Sequence, residues 1–441
     1  MENFLKRLSF LNKRLDRHMG EIASSAGAAL AIRISAVGLT FIFNVLLSRF
    51  LGADGAGVYY LAFMVLNFAS VFGTFGFNNV LVRYIAGGVA VDDWGSVKGA
   101  YKKTMVMASI ASIISACALF FTAPLISSYV FEKPAIEGVI RWMSLAIIPL
   151  TLVILHTEAL KGLKRISESL LTRFTGLNLI SIIFLYFLSS WGIKGAVWAY
   201  TIAAAVMALA GVWLWRRAVG ERLKDVHPNI ETGKLLKASM PLFLVDIMLF
   251  VYNWTSTFML GIWAAEEDVG IFSMAQKTSL LIGLVLFASN TIVAPKFAEL
   301  YRRGDKKALA ATARGSAVMT TILAAPLLLV FIAAPGWIMG FFGQKFTSGG
   351  AALSILAIGQ FVNVAAGSVG YLLIMSGKEN VHRNNMAFNL AVSIILNFIL
   401  IPKYGIIGAS IATSASVILI NITASVLVYK HLSIKIWERG K

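Results

Sequence analysis

One cysteine, five histidines and 21 acidic residues in 441 leave the chain little material for site chemistry. The single cysteine, Cys117, excludes an intrachain disulfide framework and a thiol-built metal site. Within a long apolar run it reads as a small buried residue. The histidines are scattered, and none pairs with another His or with the Cys at ligand spacing, so metal catalysis has no basis. Charge is scarce too. Asp, Glu, Lys and Arg make up 14% of the chain, against about 25% in an average soluble domain.

What fills the space is hydrocarbon: 58% of residues are hydrophobic and the mean hydropathy is +0.78. Many uncharged segments reach about 20 residues, enough for a helix to cross roughly 30 Å of bilayer core. Twelve spans are expected, at about 27–50, 56–82, 104–127, 138–160, 168–190, 194–215, 239–263, 268–295, 312–335, 349–376, 384–402 and 405–429. No series of alternating segments of about ten residues appears, which argues against a transmembrane β-barrel. The fold class expected is an all-α polytopic membrane protein.

The net charge of +18 is topological rather than a nucleic-acid footprint. Of 39 Lys and Arg, an alternating path puts 31 on one side. Six fall on the other (Arg49, Lys133, Arg141, Lys194, Lys345 and Lys403) and two lie inside spans. By the positive-inside rule both termini are cytoplasmic, in the cytoplasmic (inner) membrane of the cell. Residues 1–26 read as an amphipathic interfacial helix, with Phe4, Leu8, Leu11 and Leu15 on one stripe, and not as a cleavable signal. Tyr59, Trp94, Trp142, Trp191, Trp263, Tyr404 and Tyr429 mark interfacial ends.

The chain also repeats. At an offset of 213 residues Gly57 falls on Gly270, Ala62 on Ala275, Val80 on Val293 and Arg83 on Lys296. Far downstream the same offset lays "GIKGAVWAYTIA" from Gly192 on "GIIGASIATSAS" from Gly405. Between these blocks a shift of about two residues is needed, pairing Gly162 with Gly377. Six spans per half is an even number, so the halves are parallel repeats related by an axis along the membrane normal. The expected division is an N-lobe over 27–216, a cytoplasmic linker over 217–238, a C-lobe over 239–430 and a cytoplasmic tail over 431–441. Two such lobes form the architecture of an alternating-access transporter. "GADGAG" from Gly52 lacks the preceding strand that a phosphate loop needs. It reads instead as an outer hairpin turned by Gly52, Gly55 and Gly57, with Asp54 capping the second span.

"SRFLGADGAGVYYLA", "NNVLVRYIA" and "NLAVSIILNFILIPKYGIIGASIATSAS" resemble polysaccharide flippases of the Wzx type. These belong to the superfamily that also holds the multidrug and toxic compound extrusion (MATE) exporters and the lipid II flippase. The resemblance covers nearly the whole chain and implies two six-helix lobes around a central cavity. It implies transfer of undecaprenyl-diphosphate-linked oligosaccharide from the cytoplasmic to the outer leaflet during cell-surface polysaccharide assembly. It also implies a polysaccharide polymerase and a chain-length regulator as partners, and no cofactor. The two extra helices of the lipid II flippase type are not expected. A monomer is expected because each chain holds both lobes.

Ionisable residues inside spans face a bundle interior or a wet cavity by default. Lys277 is the deepest, roughly 14 Å along its helix from Asp268, and is a candidate contact for a diphosphate. Arg33 and Asp246 are equivalent at the offset of 213 and are candidates for an inter-lobe gating pair, with Arg33 also a substrate contact. Arg83 and Lys296 close the cytoplasmic ends of the second and eighth spans, where they would attract the diphosphate or simply anchor the helix. Arg141 and Arg173 are placed to line the first lobe. Glu158 and His156, two residues apart, point in different directions and form no dyad. The amides Asn44, Asn67, Asn178, Asn253, Gln276, Asn290, Gln360, Asn363, Asn389, Asn397 and Asn421 serve either sugar hydroxyls or helix-to-helix hydrogen bonds. Pro149, Pro295 and Pro326 are candidate kinks.

Two other functions compete. A cation-coupled multidrug antiporter of the MATE type wants an embedded carboxylate in the first lobe, and only Glu158 is available there. A membrane glycan polymerase wants a convergent acid, His or Ser cluster outside, and the outer loops hold none.

Overall fold

Hydrocarbon offers no water to backbone amides, and helices satisfy those groups internally. In the computed structural model residues 31–435 are described in full and 2–30 by helical backbone alone. Among the described residues the regular elements are all helices. The first half runs through α1 (Glu2–Thr74), α2 (Phe77–Ala90), α3 (Trp94–Leu125), α4 (Pro134–Ser144), α5 (Ile147–Gly162), α6 (Ile166–Leu170), α7 (Leu177–Leu188) and α8 (Gly192–Val219). The second comprises α9 (Thr232–Trp263), α10 (Glu266–Ser279), α11 (Leu284–Arg302), α12 (Lys306–Ala333), α13 (Pro335–Gly340), α14 (Gly350–Ala365), α15 (Val369–Met375) and α16 (Glu379–Leu432). The interfacial helix expected at 1–26 lies outside the residues described in full.

Eight helical stretches are long and apolar enough to cross a membrane, or nine with the bent pair α4–α5 taken as one span. Three of the eight fold back on themselves. On an uninterrupted helix Asn44 and Tyr60 would be about 24 Å apart, yet the Tyr60 hydroxyl donates to Asn44 Oδ1 at 2.6 Å. The chain reverses at Gly52, φ 70°. Asn389 and Thr423 would likewise be about 51 Å apart, yet Asn389 Nδ2 donates to Thr423 Oγ1 at 3.2 Å across Gly405, φ 50°. Gly192, φ 59°, separates α7 from α8, which pack side by side. The described residues are thus consistent with twelve traverses.

Gly52 therefore makes the outer hairpin, whereas Gly55 and Gly57 lie within regular helix. Asp54 does not cap that helix; its carboxylate accepts from Lys345 Nζ at 3.0 Å. Gly57 has a different use. A Cβ there would overlap the carbonyl oxygen of Glu266, and one on Gly270 would overlap that of Ala53. Ala53 and Glu266 are themselves equivalent at 213, so each lobe presents the same backbone to the other. Such a reciprocal contact is what a twofold axis produces.

The repeat is tighter than the sequence alone indicates. The backbone N–H of Lys164 donates to Lys161 and that of Arg165 to Leu160; those of Gly377 and Lys378 do the same to Ile374 and Leu373. Lys164 at φ 62° and Gly377 at φ 69° occupy the same left-handed position. The offset is 213 here as well, and the pairing of Gly162 with Gly377 is corrected. An apolar-only alignment slipped to the nearest glycine because Lys164 adopts a conformation usually left to Gly.

Pro149 follows the 50° bend between α4 and α5, where its missing N–H and its ring free the carbonyl of Leu145. Pro295 and Pro326 sit inside α11 and α12. Tyr59 is 1% exposed and packs edge-on to Tyr60, so it is core and not interface. Cys117 is exposed on the outside of α3, contrary to the buried role expected of it.

The connection between lobes is docked. Asn229 N–H donates to the Gly95 carbonyl at 3.0 Å. Lys98 Nζ donates to the Leu223 carbonyl at 2.6 Å, Lys103 Nζ to that of Ile230 at 2.5 Å, and the Ser96 hydroxyl to that of Asn229 at 3.2 Å. Asp93 caps α3 by accepting from the Ser96 amide at 2.9 Å and its hydroxyl at 2.6 Å. The Ser96 hydroxyl and amide hold the Asp93 carboxyl below the usual carboxylate range. This cap contributes above the unfolded pKa of about 3.9 and is lost as pH falls through the lower folded value. Asp305, accepting from the Ala308 amide at 2.9 Å, caps α12 in the second lobe.

The ends of the lobes nearest the Gly52 hairpin are clasped reciprocally. From the first lobe, Lys133 Nζ donates to the Gly261 carbonyl at 2.7 Å. From the second, Lys345 Nζ sits 3.0 Å from Asp54 and 3.5 Å from Glu267, while Arg49 Nε donates to the Phe341 carbonyl at 2.8 Å. Partial burial lowers the pKa of Lys133 from its ordinary value. Lys133→Met should destabilise the protein by about 1–3 kcal/mol, because it leaves buried carbonyls without a donor. Lys345→Met should change melting little, since its pairs are solvent-exposed. Thermal unfolding in detergent compares the two.

Candidate functional site

Two spans of the second lobe depart from regular helix within their length. One breaks through a 3-10 turn between α10 and α11, the other at Gly367, φ 70°, between α14 and α15. A cavity of about 850 Å³ opens beside these breaks, lined from Leu249 to Ala424 by the second lobe. Its lining contains no carboxylate, and Lys277 is its one Lys or Arg.

Lys277 projects from α10 toward the first lobe. Its Nζ lies 4.9 Å from the Tyr60 ring centroid and 5.9 Å from that of Phe63. Ring faces attract an ammonium without neutralising it, and among the described residues no carboxylate pairs with it. A cation held this way stays available to an anion.

Six amides line the rest of the wall: Asn253, Gln276, Asn290, Gln360, Asn363 and Asn421. Three are chained. Asn421 Nδ2 donates to Asn363 Oδ1 at 3.0 Å, and Asn363 Nδ2 points at Gln360 Oε1 at 3.4 Å. The buried Asn290 Oδ1, Ser273 Oγ, Ser368 Oγ and His382 Nδ1 have no protein partner. Buried polar atoms are ordinarily hydrogen-bonded, and these four belong to residues that line the cavity. Of the other amides, Asn178 Nδ2 donates across to Thr40 and Asn389 Nδ2 to Thr423, whereas Asn67 and Asn397 donate back to carbonyls of their own helix, those of Phe63 and Ser393.

Of the six substrate-binding candidates, Lys277 alone is among the residues lining this cavity. Arg33 and Arg173 come together elsewhere, flanking the Phe174 ring at 4.1 and 5.5 Å. Arg33 also stands 4.9 Å from the Phe287 ring of the second lobe, so its guanidinium bridges the lobes through π faces. Arg173 Nη1 and Lys161 Nζ both donate to Glu158 Oε1, at 2.8 and 2.7 Å. Two lysine or arginine charges on one carboxylate, with Arg33 nearby, leave this cluster net positive.

Arg33 and Asp246 do not pair in this conformation. Asp246 accepts instead from Asn78 Nδ2 of the first lobe at 3.2 Å, beside a stacked Phe75–Phe243 pair at 4.8 Å. Arg141 is 2.9 Å from Glu137, one turn back. Lys296 is 3.1 Å from Glu299, and Arg83 is exposed. His156 and Glu158 do point apart: His156 Nε2 is 3.0 Å from the Tyr101 hydroxyl, remote from the Glu158 pairs. Sequence reasoning passed over Ser273, Ser368, Tyr252 and His382 as cavity residues. Isolated hydroxyls and a lone His carry no spacing signal.

This two-lobed, all-α architecture, with a cavity that carries amides and one lysine among its apolar lining, is that of a polytopic transporter. The solved structure of the lipid II flippase MurJ in an inward closed conformation superposes with a TM-score of 0.75, at 16% identity over 90% of this chain and 87% of that one. Residues 23–301 match the family described as polysaccharide biosynthesis protein, and the chain belongs to that family, in the Wzx-type branch its sequence resembles. Two curated relatives are similar along most of their length. The probable low-salt glycan biosynthesis flippase Agl15 of Haloferax volcanii is 23% identical over 406 residues, 90% of this chain and 81% of its own. A putative O-antigen transporter of Shigella flexneri is 22% identical over 391 residues, 85% of this chain and 89% of its own.

Proposed function

We propose that the chain flips undecaprenyl-diphosphate-linked oligosaccharide from the cytoplasmic to the outer leaflet by alternating access. The observation that carries this is Lys277, a cation without a counterion in an amide-lined cavity free of carboxylates. An ammonium in low dielectric binds a diphosphate strongly because little water competes. Amides and hydroxyls suit the sugars that follow. Arg33 and Arg173 add positive potential on the first-lobe side, while Arg83 and Lys296 draw the headgroup to the cytoplasmic entrance.

The outer ends are clasped in this conformation, so the state supported is closed to the outside. Opening would break the Lys133, Arg49 and Lys345 contacts and close the cytoplasmic half, where Arg33 and Asp246 lie on equivalent spans. A pair between them belongs to that second state. The reading keeps both termini cytoplasmic in the inner membrane, the lobes at 27–216 and 239–430, a monomer as the working unit, and a polymerase and chain-length regulator as downstream partners. A cation-coupled antiporter is less well supported, because Glu158 is already paired with Lys161 and Arg173.

Depletion of the protein tests the reading. Lipid-linked oligosaccharide should build up on the cytoplasmic leaflet, measured by protection from an external glycan-modifying reagent. An unchanged leaflet distribution would overturn it.

A further inference from the structure

The two lobes share a fold but not a lining. At the offset of 213 five of the six cavity amides, Gln276, Asn290, Gln360, Asn363 and Asn421, fall on Phe63, Phe77, Ile147, Leu150 and Ala208, and the sixth, Asn253, falls on Thr40. The five partners named first are all apolar. Phe77 and Ile147 are at most 1% exposed, and Leu150 and Ala208 are buried. The first lobe shows that this helical scaffold closes with hydrophobic side chains at these positions, so the second lobe's amides answer no demand of the fold. Polar groups at membrane depth cost free energy unless something satisfies them.

The relay among three of them has direction. Asn421 gives its N–H to Asn363, and Asn363 gives its own to Gln360. That leaves Gln360 Nε2 as an unused donor and Asn421 Oδ1 as an unused acceptor, one at each end. Asn421 is 8% exposed, and the unpartnered Ser273 and Ser368 hydroxyls, 3% and 7% exposed, line the same space. A sugar carries hydroxyls that donate and accept at once, and an acetamido group offers one of each.

We propose that the second lobe alone holds the glycan, through a subsite built on Gln360, Asn363 and Asn421, with Lys277 marking where the diphosphate ends. This deepens the flippase reading and rests on it. The lobes then divide the work. The first supplies packed scaffold and positive potential, and the second selects the cargo by its sugar.

The test replaces each amide with the residue the first lobe already uses, Gln360→Ile and Asn421→Ala, so that a folded protein is expected. Full-length protein in nanodiscs is titrated with undecaprenyl diphosphate and with the same lipid carrying one N-acetylglucosamine. Wild type should bind the glycosylated lipid about tenfold more tightly. Each variant should lose that preference about 3- to 10-fold, as for one neutral hydrogen bond, with unchanged affinity for the sugarless lipid. Lys277→Met should weaken both lipids alike. A wild type without preference for the sugar, variants that keep the preference, or variants that weaken both lipids equally would each overturn the subsite. If wild type binds neither lipid, the flippase reading itself falls, and the subsite with it.

Discussion

Lys277→Met should stop translocation and leave the protein at least as stable as wild type. The two effects run in opposite directions because the ammonium faces no carboxylate, only the rings of Tyr60 and Phe63 at 4.9 and 5.9 Å. A desolvated cation without a counterion is a liability to folding. A methionine of similar length removes that cost and keeps the packing. For transport the same change removes a charge-assisted hydrogen bond to the diphosphate, worth about 1.5–3 kcal/mol, or roughly 10- to 150-fold in affinity. Lys277→Glu should be worse, since it adds repulsion to the loss. Lipid-linked oligosaccharide on the cytoplasmic leaflet and the melting temperature are measured side by side. A variant that melts early and flips normally would make Lys277 a structural residue.

Gly57→Ala and Gly270→Ala should each destabilise the protein sharply, and together by less than their sum. A single methyl at either position meets backbone carbonyl, which has no rotamer by which to move aside. Overpacking of this kind costs about 1–3 kcal/mol, with larger values where backbone must shift. Both methyls push the same two helices apart, so the second finds room the first has made, and the energies couple as they do for neighbours in contact. Thermal unfolding of the two single variants and the double gives the coupling. Additive losses would mean that the lobes do not meet there as one reciprocal contact.

Much of this architecture was legible beforehand because hydrophobic length is a one-dimensional signal. So is a repeat, and Gly57 on Gly270 led directly to the closest approach of the lobes. What lay hidden was rotation about the helix axes. Depth along a span located Lys277, Arg33, Arg141 and Arg173 equally well, yet only Lys277 turns into the cavity. Arg141 finds Glu137 one turn away, and Arg173 reaches Glu158 across a helix junction, fifteen residues distant in sequence. The repeat does not sort the amides by itself: Asn253 lines the cavity although its counterpart Thr40 is polar, and Asn397 does not although its counterpart is Phe184.

The segment between the lobes has a consequence for how such a chain tolerates change. It is held by its backbone carbonyls, at Leu223, Asn229 and Ile230, and the groups that grip them are Lys98, Ser96 and Lys103 of the first lobe. Every residue type offers a carbonyl. The polar grip is therefore independent of the tether's own side chains, of which Leu223 and Ile230 add apolar packing, but it is intolerant of insertion or deletion, which would slide the carbonyls out of reach of fixed donors. It acts as a strut of set length, and its specification is written in the helix it leans on.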